Sequence, residues 1–359
     1  MKITFVHSTL PEDQYRVHIR CQNPAAALQA SGRHVVNLLT LEDFIHNRPP
    51  AVEVCAAADV IVIHRYLFEN TLAAVARWRA RGKRVLVDLD LSVEHLEPDR
   101  PGYSFWHKGI LPQPYLNGSR PLYPPPAEQL KWLFKMVDGI LVSTPQLARV
   151  YFAFGRVQLL ADYLNINEYL VVPHQKPDDR QWLGLNLSGQ AFSSLYRSGV
   201  LEGIEQALSR SSRLNVLVTG VDSSAMHWLN RLPAERVEAV PVLAVENYPA
   251  VLSRVDIGLV AGWGEFEAHQ SPLPALEYMA MKIPWIASNQ PGLQGLAEYG
   301  CLIENSAAEW TKAILSMAEH LESAQQRAAG AAYLYALSQD AAENIEKIER
   351  TIRAFEEAG

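Results

Sequence analysis

The sequence is poor in cysteine. Cys21, Cys55 and Cys301 are the only three among 359 residues, far apart and without metal-ligand spacing. That argues against a disulfide scaffold and suits a reducing, cytoplasmic setting. No apolar run approaches the length of a membrane span. The opening MKITFVHSTLPEDQYR has too short an apolar stretch for a signal peptide and lacks a small-residue cleavage site. No block of Lys or Arg occurs and the net charge is −7, so nucleic acid is a poor partner. Peripheral membrane contact through a local basic patch stays open. Several signature motifs are also missing. No G-x-G-x-x-G follows an expected strand and no G-x-x-x-x-G-K-[ST] occurs, which weakens dehydrogenase and nucleoside-triphosphatase readings. G-x-S-x-G and H-E-x-x-H are absent as well.

What is present is alternation. Short apolar runs (KITFVHS, RHVVNLLTL, ADVIVIHRY, RVLVDLDL, GILVST, YLVVPH) are separated by helical segments such as NPAAALQASG and TLAAVARWRARGK, closed by Gly32 and Gly82. Runs apolar on both faces are expected for parallel strands covered by helices. At 359 residues the chain exceeds what one core organises, so two domains are expected. Polar QKPDDRQ at 175–181 reads as the linker, after which WLGLNL, LNVLVTG, DIGLVAG and IPWIAS restart the alternation. The expected fold is α/β, with two Rossmann-like parallel-sheet domains facing across a cleft. The first spans 1–175, on the acceptor side, and the second 176–335, binding the nucleotide sugar. A last amphipathic helix, 336–359, crosses back to the first. Residues 95–126 interrupt the pattern with prolines, glycines and aromatics, as a long functional loop would. Ligands of such sheets sit beyond the carboxyl ends of the strands, here in the cleft.

The segment QSPLPALEYMAMKIPWIAS, 270–288, carries one acid, Glu277, in an apolar helix. Ser271 is a plausible N-cap and Pro272 suits the first turn. A carboxylate near a helix start gains about 0.3–1 kcal/mol from the dipole, which would account for Glu277 structurally. The alternative is functional: the helix start offers amides to an anion, and a carboxylate one turn on accepts hydrogen bonds from the diol of a ribose beside it.

The segment ALEYMAMKIPWIAS resembles the donor-binding motif of retaining GT-B glycosyltransferases of group 1, or family 4. Other pieces follow in the family's order: QYRVHIRCQNPAAALQASGRHVV, ADVIVIHRY with RGKRVLVDLDLSVEHLEP, MVDGILVSTPQLARVY, YLVVPHQKPD, LNVLVTG and YPAVLSRVDIGLV. The resemblance covers nearly the whole chain. It implies a transfer, with retention, from a nucleoside-diphosphate sugar to a hydroxyl acceptor (a glycan, a lipid-linked or a small molecule), with no metal and no resident cofactor. It implies that Glu277 binds the ribose, that Ser271 and Leu273 offer amides to the diphosphate, and that the loop SGQAFSSLYR brings Gly189 and Gln190 to the phosphates with Arg197 as their cation. Arg197 and Glu277 are the catalytic candidates. The chain departs from the pattern where His269 replaces a glutamate that touches the donor sugar, with Glu265 and Glu267 close by. Gln270 and Pro274 also stand where the related subgroup has lysines, and His269 and Gln270 are kept as nucleotide-sugar-binding candidates by position.

On the acceptor side the candidates are Tyr15, Arg16, Arg65, Asp88 and Asp90. Asp88 and Asp90, two apart on a strand, face one side and invite a metal reading, but the resemblance implies none, and an ion pair of Arg65 with either aspartate is the alternative. Two other functions remain: a non-catalytic relative that binds a glycan or partner, and a nucleotide-sugar epimerase of the same two-domain shape.

Overall fold

A computed structural model describes residues 1–111, 121–170, 179–221, 223 and 225–356. Of the expected linker at 175–181, residues 175–178 lie outside them, and Gln181 already opens a strand. The first sheet is built from β1 (Lys2–His7), β2 (Val35–Thr40), β3 (Val60–His64), β4 (Arg84–Leu89), β5 (Gly139–Val142) and β6 (Val157–Leu159), in the order β2-β1-β3-β4-β5-β6. The second contains β7 (Gln181–Asn186), β8 (Leu214–Val221), β9 (Val237–Pro241), β10 (Ile257–Val260), β11 (Trp285–Ser288) and β12 (Cys301–Ile303), in the order β12-β11-β10-β7-β8-β9. Every pairing in both sheets is parallel. Such sheets need cover on both faces. Val60, Ile61, Val62 and Ile63 are accordingly fully buried, as are Val216 and Val218.

Each sheet reverses its strand order once, between β1 and β3 and between β7 and β10. Loops that leave neighbouring strands for opposite faces open a crevice at such a point. Close packing fixes the second of these crevices. A Cβ at Gly258 would sit 2.4 Å from the ring of Tyr278, and one at Gly184 2.7 Å from the methyls of Val255. Lacking side chains, these strands let Tyr278 lie flat on the sheet and donate its hydroxyl to the Gly184 carbonyl at 3.0 Å. Helix Leu273–Ala280 is thereby held with its first turn at the mouth of the crevice.

The final helix, Ile345–Arg353, packs on the first sheet's layer. Ile348, Ile352 and Phe355 join the core of Ile3, Phe5 and Leu28, and His34 bonds Glu349 at 3.2 Å. The stretch 95–126 is not a featureless loop: helix Tyr103–Lys108 lies in it, bracketed by Gly102 and Gly109 at positive φ. The expected strand YLVVPH begins instead as a helical turn, Asn167–Leu170, and continues outside the described residues.

Candidate functional site

A cavity of about 390 Å³ lies between the two lobes, over both reversal points. Leu10, Arg65 and Tyr66, beyond β1 and β3, form one wall, and Asn186, Gly189, Gln190 and Gly262, beyond β7 and β10, form the opposite one. The start of helix Leu273–Ala280 (Gln270, Ser271, Leu273, Pro274) closes one side, and the aromatics Phe105 and Trp106 another. Gly189 has a φ of +71° and open space where a Cβ would point, so the turn presents bare backbone there.

The first-lobe wall is a buried lattice of arginine and aspartate. Arg65 donates to Asp90 (2.6 and 2.8 Å) and to Asp13 (2.8 Å), and Tyr66 donates its hydroxyl to Asp13 at 2.6 Å. Arg16 donates to Asp90 and, at 2.9 Å, to Asp162. Arg20, buried behind, holds Asp88 at 2.5 and 3.0 Å and Asp162 at 2.8 Å. Burial pushes the Asp90 carboxyl up, but the guanidiniums of Arg65 and Arg16 outweigh it and keep it well below the usual carboxylate range. Asp162 is lowered in the same way, burial being outweighed by Arg16 and Arg20. Arg65 itself sits at φ +62°, a conformation non-glycine residues seldom adopt, and such positions cluster at functional sites.

Asp88 lies in β4 and Asp90 one residue beyond its end. Guanidiniums take both, and neither borders the cavity. Among the described residues no group of three His, Cys, Asp or Glu is placed to hold a metal ion.

The second lobe's candidates divide. Gly189, Gln190, Gln270, Ser271 and Leu273 border the cavity. Arg197, near the end of helix Phe192–Ser198, is exposed and does not, because that helix turns its apolar face (Leu195) to the core and its arginine to solvent. His269 stacks on His95 of the first lobe (centroids 4.9 Å apart), and its carbonyl accepts from Thr144 at 2.9 Å, so it serves the lobe contact rather than the cavity. The N-cap is Pro272, not Ser271. The Ser271 hydroxyl accepts from the Leu273 N–H at 3.2 Å and donates to Asp162 of the first lobe at 2.6 Å.

Glu277 stands behind the cavity wall. It is 1% exposed, and Oε1 accepts from the Tyr169 hydroxyl at 2.8 Å. Burial raises its pKa to about 7, against the pull of the Tyr169 and Tyr15 phenols and of Arg16. Tyr15 borders the cavity, and Glu277 does not.

Sequence reasoning missed Arg100 and named Glu267 only as a neighbour of His269. Arg100 comes from the proline- and aromatic-rich stretch of the first lobe. Its guanidinium lies 4.0 Å from the centre of the Phe266 ring, donates to Glu267, and reaches the Gly189 carbonyl at 3.1 Å. Burial raises the Glu267 carboxyl even beside this partner. Both border the cavity.

With the geometry in place, known proteins bear on it. Residues 198–320 match the family model described as glycosyl transferases group 1. The fold is that of GT-B glycosyltransferases. HepE of Anabaena, solved in complex with UDP-glucose, superposes with a TM-score of 0.66 at 15% identity, over 99% of this chain and 100% of that one. Sucrose-phosphate synthase of Thermosynechococcus elongatus gives 0.61 at 16% identity over 99% of each chain. A Listeria monocytogenes protein described as a UDP-N-acetylglucosamine 2-epimerase gives 0.57 at 13% identity, over 100% of this chain and 97% of that one. Comparison of the sequence with curated proteins gives no match. No helix among the described residues is long and apolar enough to cross a membrane.

Proposed function

We propose that the protein is a glycosyltransferase that takes a sugar from a nucleoside diphosphate, UDP by preference, and passes it to a hydroxyl acceptor in the interlobe cavity. The carrying observation is the coincidence of that cavity, over the reversal points of both sheets, with a second lobe that matches the group 1 model. The UDP preference is supported by the HepE complex with UDP-glucose.

In this reading the bond from the anomeric carbon to the diphosphate oxygen breaks, the leaving nucleotide keeps the electron pair, and the acceptor oxygen bonds to that carbon and loses its proton. Retention, which the resemblance implies, belongs to this proposal. Charge developing on the leaving diphosphate calls for positioned cations. Among the described residues, the cations that border the cavity are Arg16, Arg65 and Arg100, all of the first lobe. Arg16 and Arg65 keep 16% and 15% of their side chains accessible, whereas Arg100 keeps 2%, so the first two are assigned to the diphosphate. Guanidinium takes the part a metal would play, so no metal or resident cofactor is invoked. Glu277 remains assigned to the ribose, reached when the wall in front of it yields. Phe105, Trp106 and Ile110 leave the acceptor a largely apolar entry.

One observation favours a second reading, a non-catalytic relative that binds a glycan or a partner. Two groups assigned to the donor already hold partners inside the protein, Ser271 on Asp162 and Glu277 on Tyr169. Calorimetric titration with UDP, GDP and dTDP, followed by incubation with UDP-sugars, decides between them. The transferase reading expects UDP binding and UDP release that rises when an acceptor alcohol is present. Absence of binding at millimolar concentration would sink it, and conversion of the donor alone into a second nucleotide sugar would point to the epimerase instead.

A further inference from the structure

We infer that Tyr15, on the first lobe, is a binding residue of the donor site: its hydroxyl and Oε2 of Glu277 together take the vicinal diol of the nucleotide's ribose. This rests on the donor reading above. It moves Tyr15 from the acceptor side, where the sequence placed it, to the nucleotide.

Glu277 uses one oxygen on Tyr169, while Oε2 is buried and makes no hydrogen bond of good geometry. The Tyr15 hydroxyl is buried too, and the partner that it faces, without good hydrogen-bond geometry, is the Glu277 carboxylate. Buried polar atoms in this condition are uncommon, and each calls for an explanation. The two belong together, because the Tyr15 phenol is close enough to act on the Glu277 carboxylate. The Tyr15 ring packs edge-on against Tyr248 of the second lobe (centroids 6.2 Å apart, 75° between planes), and Asn186 at the cavity wall donates to the Tyr248 oxygen at 3.2 Å. Tyr15 and Asn186 border the cavity, and Glu277, Tyr169 and Tyr248 lie one layer behind.

The chemistry of these two poorly matched atoms selects the ligand. Above about pH 7, where Glu277 is ionised, its carboxylate oxygen only accepts, while a phenol either donates or accepts. A phosphate presents acceptors and negative charge, and Glu277 opposes both. Two adjacent hydroxyls present two donors and two acceptors, which satisfies both groups at once. Tyr15 and Glu277 come from opposite lobes, so a ribose seated between them parts the Tyr15 wall and then ties the lobes through its own hydroxyls.

The test titrates UDP, 2′-deoxy-UDP and 3′-deoxy-UDP calorimetrically into the full-length protein, Tyr15→Phe and Glu277→Gln, with thermal melts confirming that each variant is folded. The wild type should prefer UDP over at least one deoxy analogue by about tenfold, the scale of one buried hydrogen bond. Tyr15→Phe should lose about that factor for UDP, keep wild-type affinity for that analogue, and so lose the discrimination. The inference is overturned if Tyr15→Phe discriminates as the wild type does, or if it binds UDP more tightly, which would make Tyr15 only a plug. UDP binding weakened in Glu277→Gln but unchanged in Tyr15→Phe removes Tyr15 and leaves the donor reading standing. No binding of any of the three by the wild type removes the donor reading, and this inference with it.

Discussion

Asp90 and Glu277 are equally buried, each 1% exposed, in the walls where the lobes meet, yet their pKa values move in opposite directions. Asp90 is gripped by two guanidiniums and stays far below the usual carboxylate range. Glu277 has phenols as its nearest partners, with Arg16 and His18 acting more weakly, and burial carries it up to about 7. Burial penalises both alike, and the partner decides the sign. The lobes follow the same division. The first meets the cavity with paired charge, at Arg16, Arg65 and Asp13, and the second meets it largely with bare backbone and neutral side chains, at Gly189, Gln190, Gly262 and Ser271. In the proposed reaction, the lobe rich in charge supplies the cations and the other supplies close approach.

The comparison breaks most violently if Asp90 is removed. Asp90→Ala leaves Arg65 with Asp13 alone and Arg16 with Asp162 alone, and since removing one partner of a buried pair costs about 3–5 kcal/mol when nothing else compensates, that figure is the upper bound here. Urea unfolding should show the midpoint fall accordingly, with the first lobe losing structure first. In the wild type the folded pKa of Asp90 lies below its unfolded value, so its contribution is present at neutral pH and is lost as pH falls below the ordinary carboxylate range. An unchanged midpoint in Asp90→Ala would show that the lattice is held by something other than this ion pair.

Glu277 has the opposite sign. Its folded pKa is above the unfolded one, so between about pH 4.5 and 7 the folded state holds a proton that the unfolded state releases, and stability declines as pH rises through that window. A shift from 4.5 to about 7 corresponds to roughly 3 kcal/mol as an upper figure. Glu277→Gln keeps an acceptor for Tyr169 and removes the ionisation. It should match the wild type near pH 5, exceed it by up to that amount at pH 8, and lose affinity for UDP. Melting curves at the two pH values check the first statement, and parallel curves for the two proteins would refute it.

A smaller effect is expected at Gly258. An added methyl meets the Tyr278 ring at 2.4 Å, and overpacking of this kind costs about 1–3 kcal/mol. Gly258→Ala should lower the melting temperature and, by shifting helix Leu273–Ala280, weaken UDP binding more than an equally destabilising change far from the cleft.

How far the sequence foretold this follows from the range over which each interaction acts. Central strands announce themselves because burial on both faces leaves a continuous apolar run, VIVI in β3 and VLV in β4. Three strands escaped notice, β6, β9 and β12, and all three lie at sheet edges. There the segments are short or interleaved with charge, as in VEAVP, and no run forms. In the site, the family resemblance singled out Gly189, Gln270 and Ser271, and all three border the cavity. The pairs Arg100–Glu267 and Ser271–Asp162, 167 and 109 residues apart, exist only once two lobes face each other. Arg197 misled because chain order placed it after the phosphate loop, whereas the helix's own period turned it outward.

That last point gives the mildest and most discriminating prediction. If the cations for the diphosphate come from the first lobe, Arg197→Ala should leave UDP affinity and turnover unchanged, since an exposed side chain far from special contacts seldom matters. Arg65→Lys should weaken UDP by about tenfold, because lysine keeps the charge but not the planar fork that bonds Asp90 and Asp13 while facing the cavity. Arg65→Lys keeps the number of positive charges whereas Arg197→Ala removes one, so the contrast separates geometry from net charge. A loss of affinity in Arg197→Ala, with Arg65→Lys binding normally, would return the phosphate cation to the second lobe and require helix Phe192–Ser198 to rotate toward the cavity when nucleotide binds.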